Sequence, residues 1–295
     1  MNTLLTYTSA PIQEIQHVTL KEANVRLLIR REDLNHPFVT GNKWWKLKYN
    51  LEEAERLQKK TILTFGGAFS NHIYATATAA QELNLKSIGI IRGEETFPLN
   101  PTLAFSSKMN MKLHYVDRET YREKDSSEFI KHLHNTFGDF YMIPEGGTNE
   151  LAVKGIAEFS KQLDIDFDYL CCAVGTGGTL AGLISELDTQ KQIIGFSSLK
   201  GGDFLRQEIE QYAGRGKSNW TIETSYHFGG YGKQTQPLLD FIRTFETLHH
   251  IPLEQVYTGK MMFGVFDLIQ KNYFKQGSTI LAIHTGGLQG RSPDI

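Results

Sequence analysis

Tyr169-Leu170-Cys171-Cys172-Ala173-Val174-Gly175-Thr176-Gly177-Gly178-Thr179 holds a strand, a glycine-rich turn and the opening of a helix. The run up to Val174 is nearly all apolar and does not alternate, as expected of a strand covered on both faces in a parallel sheet. The same strand-then-helix order recurs on either side. Towards the N-terminus, strands are expected at 25–30, 61–67, 87–91, 113–116 and 140–143. Helices open near Asn42 and at Ser70-Asn71, a polar helix spans 118–137, and another spans 149–162. Towards the C-terminus come helices at 179–187, 204–212, 237–248 and 260–273, with strands at 192–196 and 278–283. Such alternation implies α/β architecture with parallel sheets. In open sheets of this kind ligands bind at the carboxyl ends of the strands. The unusual residues of this chain fall there, at 66–72, 145–149, 175–179 and 284–287.

With 295 residues the chain is long for one core, and two lobes are expected. A hydrophobic content of 40%, a charged content of 22% and a net charge of −2 are those of an ordinary soluble globular protein, with no electrostatic case for nucleic acid or an anionic membrane surface. No stretch approaches the roughly 20 apolar residues that span a bilayer. The start, Met1-Asn2-Thr3-Leu4-Leu5, lacks a basic region and a long apolar run, so no signal peptide is expected. Cys171 and Cys172, adjacent in one buried strand, are poor partners for a disulfide and too few for a cysteine zinc site. A reducing cytoplasm fits this usage. The histidines show no metal-ligand spacing.

Four segments are candidates for chemistry. Gly175 through Thr179 (Gly175, Thr176, Gly177, Gly178 and Thr179) reads as a strand–turn–helix nest whose amides and helix dipole suit a single phosphate, the alternative being a plain tight turn. It is not the dinucleotide fingerprint, because the third glycine position holds Leu180 and the next strand ends in Phe196-Ser197-Ser198 without an acid. In Thr40-Gly41-Asn42-Lys43-Trp44-Trp45-Lys46-Leu47, Asn42 is the N-cap candidate and Lys43 lies in the first helical turn, on an apolar stripe with Leu47, Ala54 and Leu57. A cation is disfavoured at that helix end. A lysine there, lowered in pKa by burial and the dipole, is suited to forming a Schiff base with a carbonyl cofactor. The alternative reading of Lys43 is an ordinary solvated lysine. Gly66-Gly67-Ala68-Phe69-Ser70-Asn71-His72 is a second strand–turn–helix, with Ser70 as cap and free amides behind it for a carboxylate. Tyr231 and Tyr257 lie among glycines, and Thr285 in Ile283-His284-Thr285-Gly286-Gly287 offers a neutral hydroxyl to a buried ring nitrogen.

In their order, Gly-Asn-Lys-x-x-Lys-Leu, Gly-Gly-x-x-Ser-Asn and the glycine–threonine loop resemble the pyridoxal-phosphate enzymes of the tryptophan synthase β-like fold. More closely, the chain resembles the 1-aminocyclopropane-1-carboxylate deaminase and D-cysteine desulfhydrase family, over about 25–287. The resemblance implies a large cofactor-binding domain (1–50 plus 148–295) and a smaller domain (51–147) closing over the substrate. It implies pyridoxal 5'-phosphate on Lys43, and not on Lys46, with the phosphate on Gly175–Thr179 and Thr285 near the ring nitrogen. It also implies Asn71 on the ring hydroxyl, Ser70, Tyr231 and Tyr257 as catalytic residues, and Ser70, Asn71, His72 and Thr258 at a small amino-acid substrate. A homodimer is expected. Threonine at 258 and at 285, where deaminases carry glutamate and leucine, is the desulfhydrase pattern, so the expected reaction is β-elimination from D-cysteine to pyruvate, ammonia and sulfide. An aminocyclopropane deaminase, and a non-catalytic cofactor-holding protein with a pocket altered behind Trp44-Trp45, are the other readings.

Overall fold

The computed structural model describes residues 4–214 and 216–295. Along the chain come β1 (Ile12–Ile15), α1 (Val18–Glu22), β2 (Arg26–Arg30), α2 (Asn42–Arg56), β3 (Thr61–Gly66), α3 (Asn71–Glu82) and β4 (Lys86–Arg92). Next are α4 (Pro101–Lys108), β5 (Met111–Val116), α5 (Ser127–Phe137), β6 (Tyr141–Ile143), α6 (Glu150–Ser160), β7 (Tyr169–Val174) and α7 (Gly178–Glu186). The chain continues with β8 (Gln192–Ser197), α8 (Leu205–Ala213), β9 (Trp220–Glu223), α9 (Gln236–His249), α10 (Thr258–Gln270) and β10 (Thr279–Ile283).

The strands build a six-stranded sheet, β1-β2-β10-β7-β8-β9, and a four-stranded sheet, β5-β4-β3-β6. Every pairing is parallel except that of β1 with β2. Each sheet reverses its order of growth once. The small sheet runs outward from β3 through β4 to β5 and then adds β6 on the other side of β3. The large one runs outward from β7 through β8 to β9 and later adds β10 beside β7. The loops leaving β3 and β6, and those leaving β7 and β10, therefore diverge at their carboxyl ends and leave crevices there.

β7 behaves as its sequence implies: Leu170, Cys171 and Cys172 are fully buried, and both thiols are free. The sequence reading departs from the structure in several places. Asn42 is not the cap of α2. Gly41 is, at φ 67° and ψ −142°, and Asn42 is the first helical residue. A side chain at 41 is excluded because its Cβ would lie 1.9 Å from the Thr285 carbonyl oxygen. Nor is α2 buried along one stripe. Trp44, Trp45, Lys46, Leu47, Asn50, Leu51 and Ala54 are all buried, whereas Leu57 is exposed, because α2 packs against both α3 and α6. The expected helix over 118–137 is broken. Asp117 Oδ1 accepts from the amides of Glu119 and Thr120 at 2.9 and 3.0 Å, and Ser126 caps a new start by accepting from Phe129 N at 3.2 Å. These side chains compete with the helical ladder. The sequence reading does not resolve the short β1 and β9 at the edges of the large sheet, or the short helices α1 and α4.

Candidate active site

A cavity lies where the two pairs of diverging loops face each other. The small sheet contributes Ser70, Asn71, His72 and Gly146; the large sheet contributes 173–177, Thr179, Leu180 and Thr285; α2 contributes Asn42, Lys43 and Lys46; and Tyr257 closes one side. The structure thus brings together Lys43, Ser70, Asn71, His72, Gly175, Thr176, Gly177, Thr179, Tyr257 and Thr285. Gly178 lies just behind this wall, where a Cβ would sit 3.1 Å from Lys46 Nζ. Tyr231 does not line the cavity but touches Tyr257, their ring centres 6.1 Å apart at 64°. Thr258 does not face the cavity. Its hydroxyl donates to the buried Glu254 carboxylate at 3.0 Å. Trp44 and Trp45 also point away from it, donating to Thr6 O at 2.9 Å and to Glu32 Oε2 at 2.8 Å, so they do not reshape the pocket.

Lys43 makes no hydrogen bond or ion pair among the described residues. Burial of its amine lowers its pKa to about 8, and only Cys172 acts in the opposite direction. Lys46, three residues on and on the same helix face, is lowered well below the usual value, first by burial and then by Lys43. Its Nζ donates to Gly146 O at 2.6 Å and Thr148 Oγ1 at 2.9 Å, and Thr148 Oγ1 lies 2.7 Å from Thr176 Oγ1. Asn42 Nδ2 donates to Thr179 Oγ1 at 2.7 Å. Among the described residues no aspartate or glutamate lines the cavity. Two lysines without a facing acid, two threonine hydroxyls and the start of α7 at the left-handed Gly177 form a donor set matched to a phosphate. Lys46, Thr148 and Asn42 are outside the residues expected from sequence. The spacing of Lys43 and Lys46 is the one local signal that points to any of them.

On the opposite wall Ser70 caps α3, its Oγ accepting from Ile73 N at 3.3 Å. That leaves the hydroxyl hydrogen free to donate into the cavity. The amides of Asn71 and His72 have no acceptor among the described residues. His72 is buried and held neutral, first by burial and then by Lys43. Thr64 Oγ1 donates to Ile143 O at 2.8 Å, so the 2.8 Å contact from His72 Nε2 to that oxygen assigns the ring proton to Nε2. Tyr257 stands beside Gly175, where a Cβ would come within 3.1 Å of its ring. Its phenol is held well above the ordinary range by burial and then by Tyr231 and Glu254, and that of Tyr231 is pushed up to about 12, chiefly by burial.

The family described as pyridoxal-phosphate dependent enzyme matches residues 4–286. The chain belongs to this family. The donor set fits the cofactor: Lys43 would take its aldehyde carbon, and the Gly175–Thr179 turn with Lys46 would hold its phosphate. Among the family's members, a Pyrococcus furiosus protein provisionally named 1-aminocyclopropane-1-carboxylate deaminase is 31% identical over 95% of this chain and 90% of its own length. The bifunctional D-cysteine desulfhydrase/1-aminocyclopropane-1-carboxylate deaminase of Arabidopsis thaliana is 30% identical over 90% of this chain and 73% of its own, and the D-cysteine desulfhydrase of Klebsiella pneumoniae 27% over 88% and 86%. A solved structure described as an ACC deaminase homologue superposes with a TM-score of 0.81 at 30% identity, covering 97% of this chain and 91% of that one. The chain is therefore a pyridoxal-phosphate-dependent enzyme related to deaminases and desulfhydrases of small amino acids. No helix among the described residues is long and apolar enough to cross a membrane.

Proposed function

We propose that the protein eliminates the β-substituent of a small D-amino acid, D-cysteine above all, to give pyruvate, ammonia and sulfide. The observation that carries this reading is the absence of any carboxylate from the described cavity wall. Opening a cyclopropane ring needs an acid–base group close to the substrate. The position where deaminases hold glutamate is Thr258, whose hydroxyl is committed to Glu254. Elimination of a good leaving group asks less of the wall.

Pyridoxal phosphate, when bound, supplies a sink for the electrons released at the substrate α-carbon. The chain's own residues do the rest. The amides of Asn71 and His72 at the start of α3 hold the substrate carboxylate. Lys43 Nζ takes the α-proton, a task suited to an amine whose pKa burial lowers. Hydrosulfide leaves Cβ with the C–S electron pair, and water converts the remaining aminoacrylate to pyruvate and ammonia. Ser70 Oγ and Tyr257 Oη pass protons on the two sides of the cavity, with Tyr231 behind Tyr257. Thr285 would offer the ring nitrogen of a bound cofactor a neutral partner, which would favour elimination over chemistry that needs full protonation there. Residues 51–147, carrying the small sheet, form the domain that closes over the substrate against the larger cofactor domain of 1–50 and 148–295. The working assembly in this reading is a homodimer.

The second reading, deamination of 1-aminocyclopropane-1-carboxylate to 2-oxobutanoate, is favoured by the names of the Pyrococcus furiosus relative and of the ACC deaminase homologue. A substrate panel on the cofactor-loaded protein decides between them. Pyruvate and sulfide from D-cysteine, without 2-oxobutanoate from the cyclopropane acid, is the expected result; 2-oxobutanoate at a comparable rate overturns it.

A further inference from the structure

Tyr257 at the cavity and Tyr231 behind it are tethered to a single helix start. α10 begins at Thr258 without a side-chain cap from the preceding Tyr257. The cap comes from Glu254, 1% exposed. Its carboxylate accepts from the amides of Val256 at 2.6 Å, Tyr257 at 2.9 Å and Thr258 at 2.6 Å, and from Thr258 Oγ1 at 3.0 Å. Its own amide donates to the same hydroxyl at 3.1 Å. Every group facing the carboxylate donates, so the acceptor-only ionised form is the one that fits. Burial pushes its pKa up while these donors and the helix start hold the charge in place. Two residues into α10, Lys260, also 1% exposed, donates to His227 O at 2.9 Å and to Gly230 O at 2.8 Å, the carbonyl immediately before Tyr231.

We infer that Glu254 and Lys260 are positioning residues for Tyr257 and Tyr231, each acting through the backbone of its tyrosine and neither touching substrate. The inference rests on the reading given above of Tyr257 as a proton carrier with Tyr231 behind it. A helix start can be capped by an exposed serine or aspartate. A fully buried carboxylate is costly to desolvate, and here it fixes three consecutive amides around a site tyrosine. Glu254 also acts on the Tyr257 phenol directly. Its negative charge, with Tyr231 and Glu145, opposes ionisation there, while Lys43, Lys46 and His72 stand across the cavity, Arg92 lies beside Tyr231 and Lys260 lies beside Glu254. Removing the charge therefore lets Tyr257 ionise at lower pH.

The test is a cycle of Glu254→Gln, Tyr257→Phe and the double variant. In the loaded enzyme, Glu254→Gln is expected to lower kcat for pyruvate from D-cysteine about tenfold in the parent and less than about twofold further in the Tyr257→Phe background, because residues that act as a unit are not additive. KM and cofactor loading stay within about twofold of the parent on the same reasoning. In the protein without cofactor, followed by phenolate absorbance against pH, Glu254→Gln shifts one tyrosine ionisation to lower pH, and that shift is missing from the double variant. Lys260→Met with Tyr231→Phe forms the parallel cycle, and Glu254→Asp keeps the charge if the glutamine variant does not fold. Equal losses of kcat in both backgrounds, or a phenolate titration that does not move, overturns the inference. If the parent yields no pyruvate, the proposed reaction fails while the absorbance titration still decides this point.

Discussion

Replacing Gly41 with alanine tests the joint between the lysine helix and the end of β10. Two costs add. At φ 67° and ψ −142° the residue occupies backbone space that side-chain-bearing residues avoid, at about 1–3 kcal/mol. The new Cβ would lie 1.9 Å from the Thr285 carbonyl oxygen and 2.7 Å from Gly286 N. Real Cβ atoms essentially never come within 3.0 Å, so the two segments must part by about 1 Å. Forcing such volume into a packed site costs a further ~1–3 kcal/mol. The expected loss is about 3 kcal/mol or more, roughly a hundredfold or more in the folding equilibrium. Gly201→Ala is the control, since Gly201 has φ 70° and ψ 35° with nothing within 4 Å of its missing Cβ; it carries only the left-handed cost of about 1–2 kcal/mol. Urea denaturation measures both, and uptake of pyridoxal phosphate, followed by its absorbance, reports whether Lys43 and Thr285 still face one another. A Gly41→Ala protein within about 0.5 kcal/mol of the parent, as for an ordinary surface exchange, and with unchanged uptake, refutes the reasoning.

Three further outcomes are expected. Only a neutral Lys43 amine can attack an aldehyde, and burial lowers its pKa to about 8, so the rate of cofactor uptake by the bare protein should rise with pH through about 8 and level off above it; a rate still climbing towards pH 10 would show a lysine with its ordinary pKa. After borohydride reduction, peptide mapping should find the cofactor on Lys43 and none bound in Lys43→Ala, and reduction onto Lys46 instead would reverse the two roles. Lys46→Met removes the donor to Gly146 O and Thr148 Oγ1 and should weaken equilibrium binding of pyridoxal phosphate by about tenfold to a hundredfold, the scale of one charge-assisted bond to phosphate, while pyridoxal without phosphate binds as before.

How far the sequence could be read depended on how far each residue's partners lie along the chain. β7 and the Gly175–Thr179 turn are legible because a strand buried on both faces and a glycine nest are local patterns. Ser70 as cap of α3 is legible for the same reason. Lys46 is not, because its partners Gly146 and Thr148 lie 100 and 102 residues away and are brought near only when the two sheets face each other. The positive φ of Gly41 likewise answers to Thr285, near the other end of the chain. Glu254 was hidden differently: its partners are neighbours in sequence, but a glutamate four residues ahead of a helix is usually solvated, and only its burial shows it to be the cap. Thr258 reads from the family pattern as a pocket residue, and the structure turns it inward because that carboxylate claims its hydroxyl.

That last contact constrains how this chain can change its chemistry. Introducing glutamate at 258 would set a second carboxylate against one already buried 3.0 Å from the hydroxyl it replaces. Lys260 beside Glu254 is already committed to the His227 and Gly230 carbonyls, so one of the two acids would have to stay protonated or swing out and carry the start of α10 with it. The exchange at 258, one of the two that separate the activities on paper, is therefore opposed in this protein until position 254 changes first. Laboratory or natural drift towards ring opening would have to pass through a neutral residue at 254, with the tyrosine beside it loosened along the way.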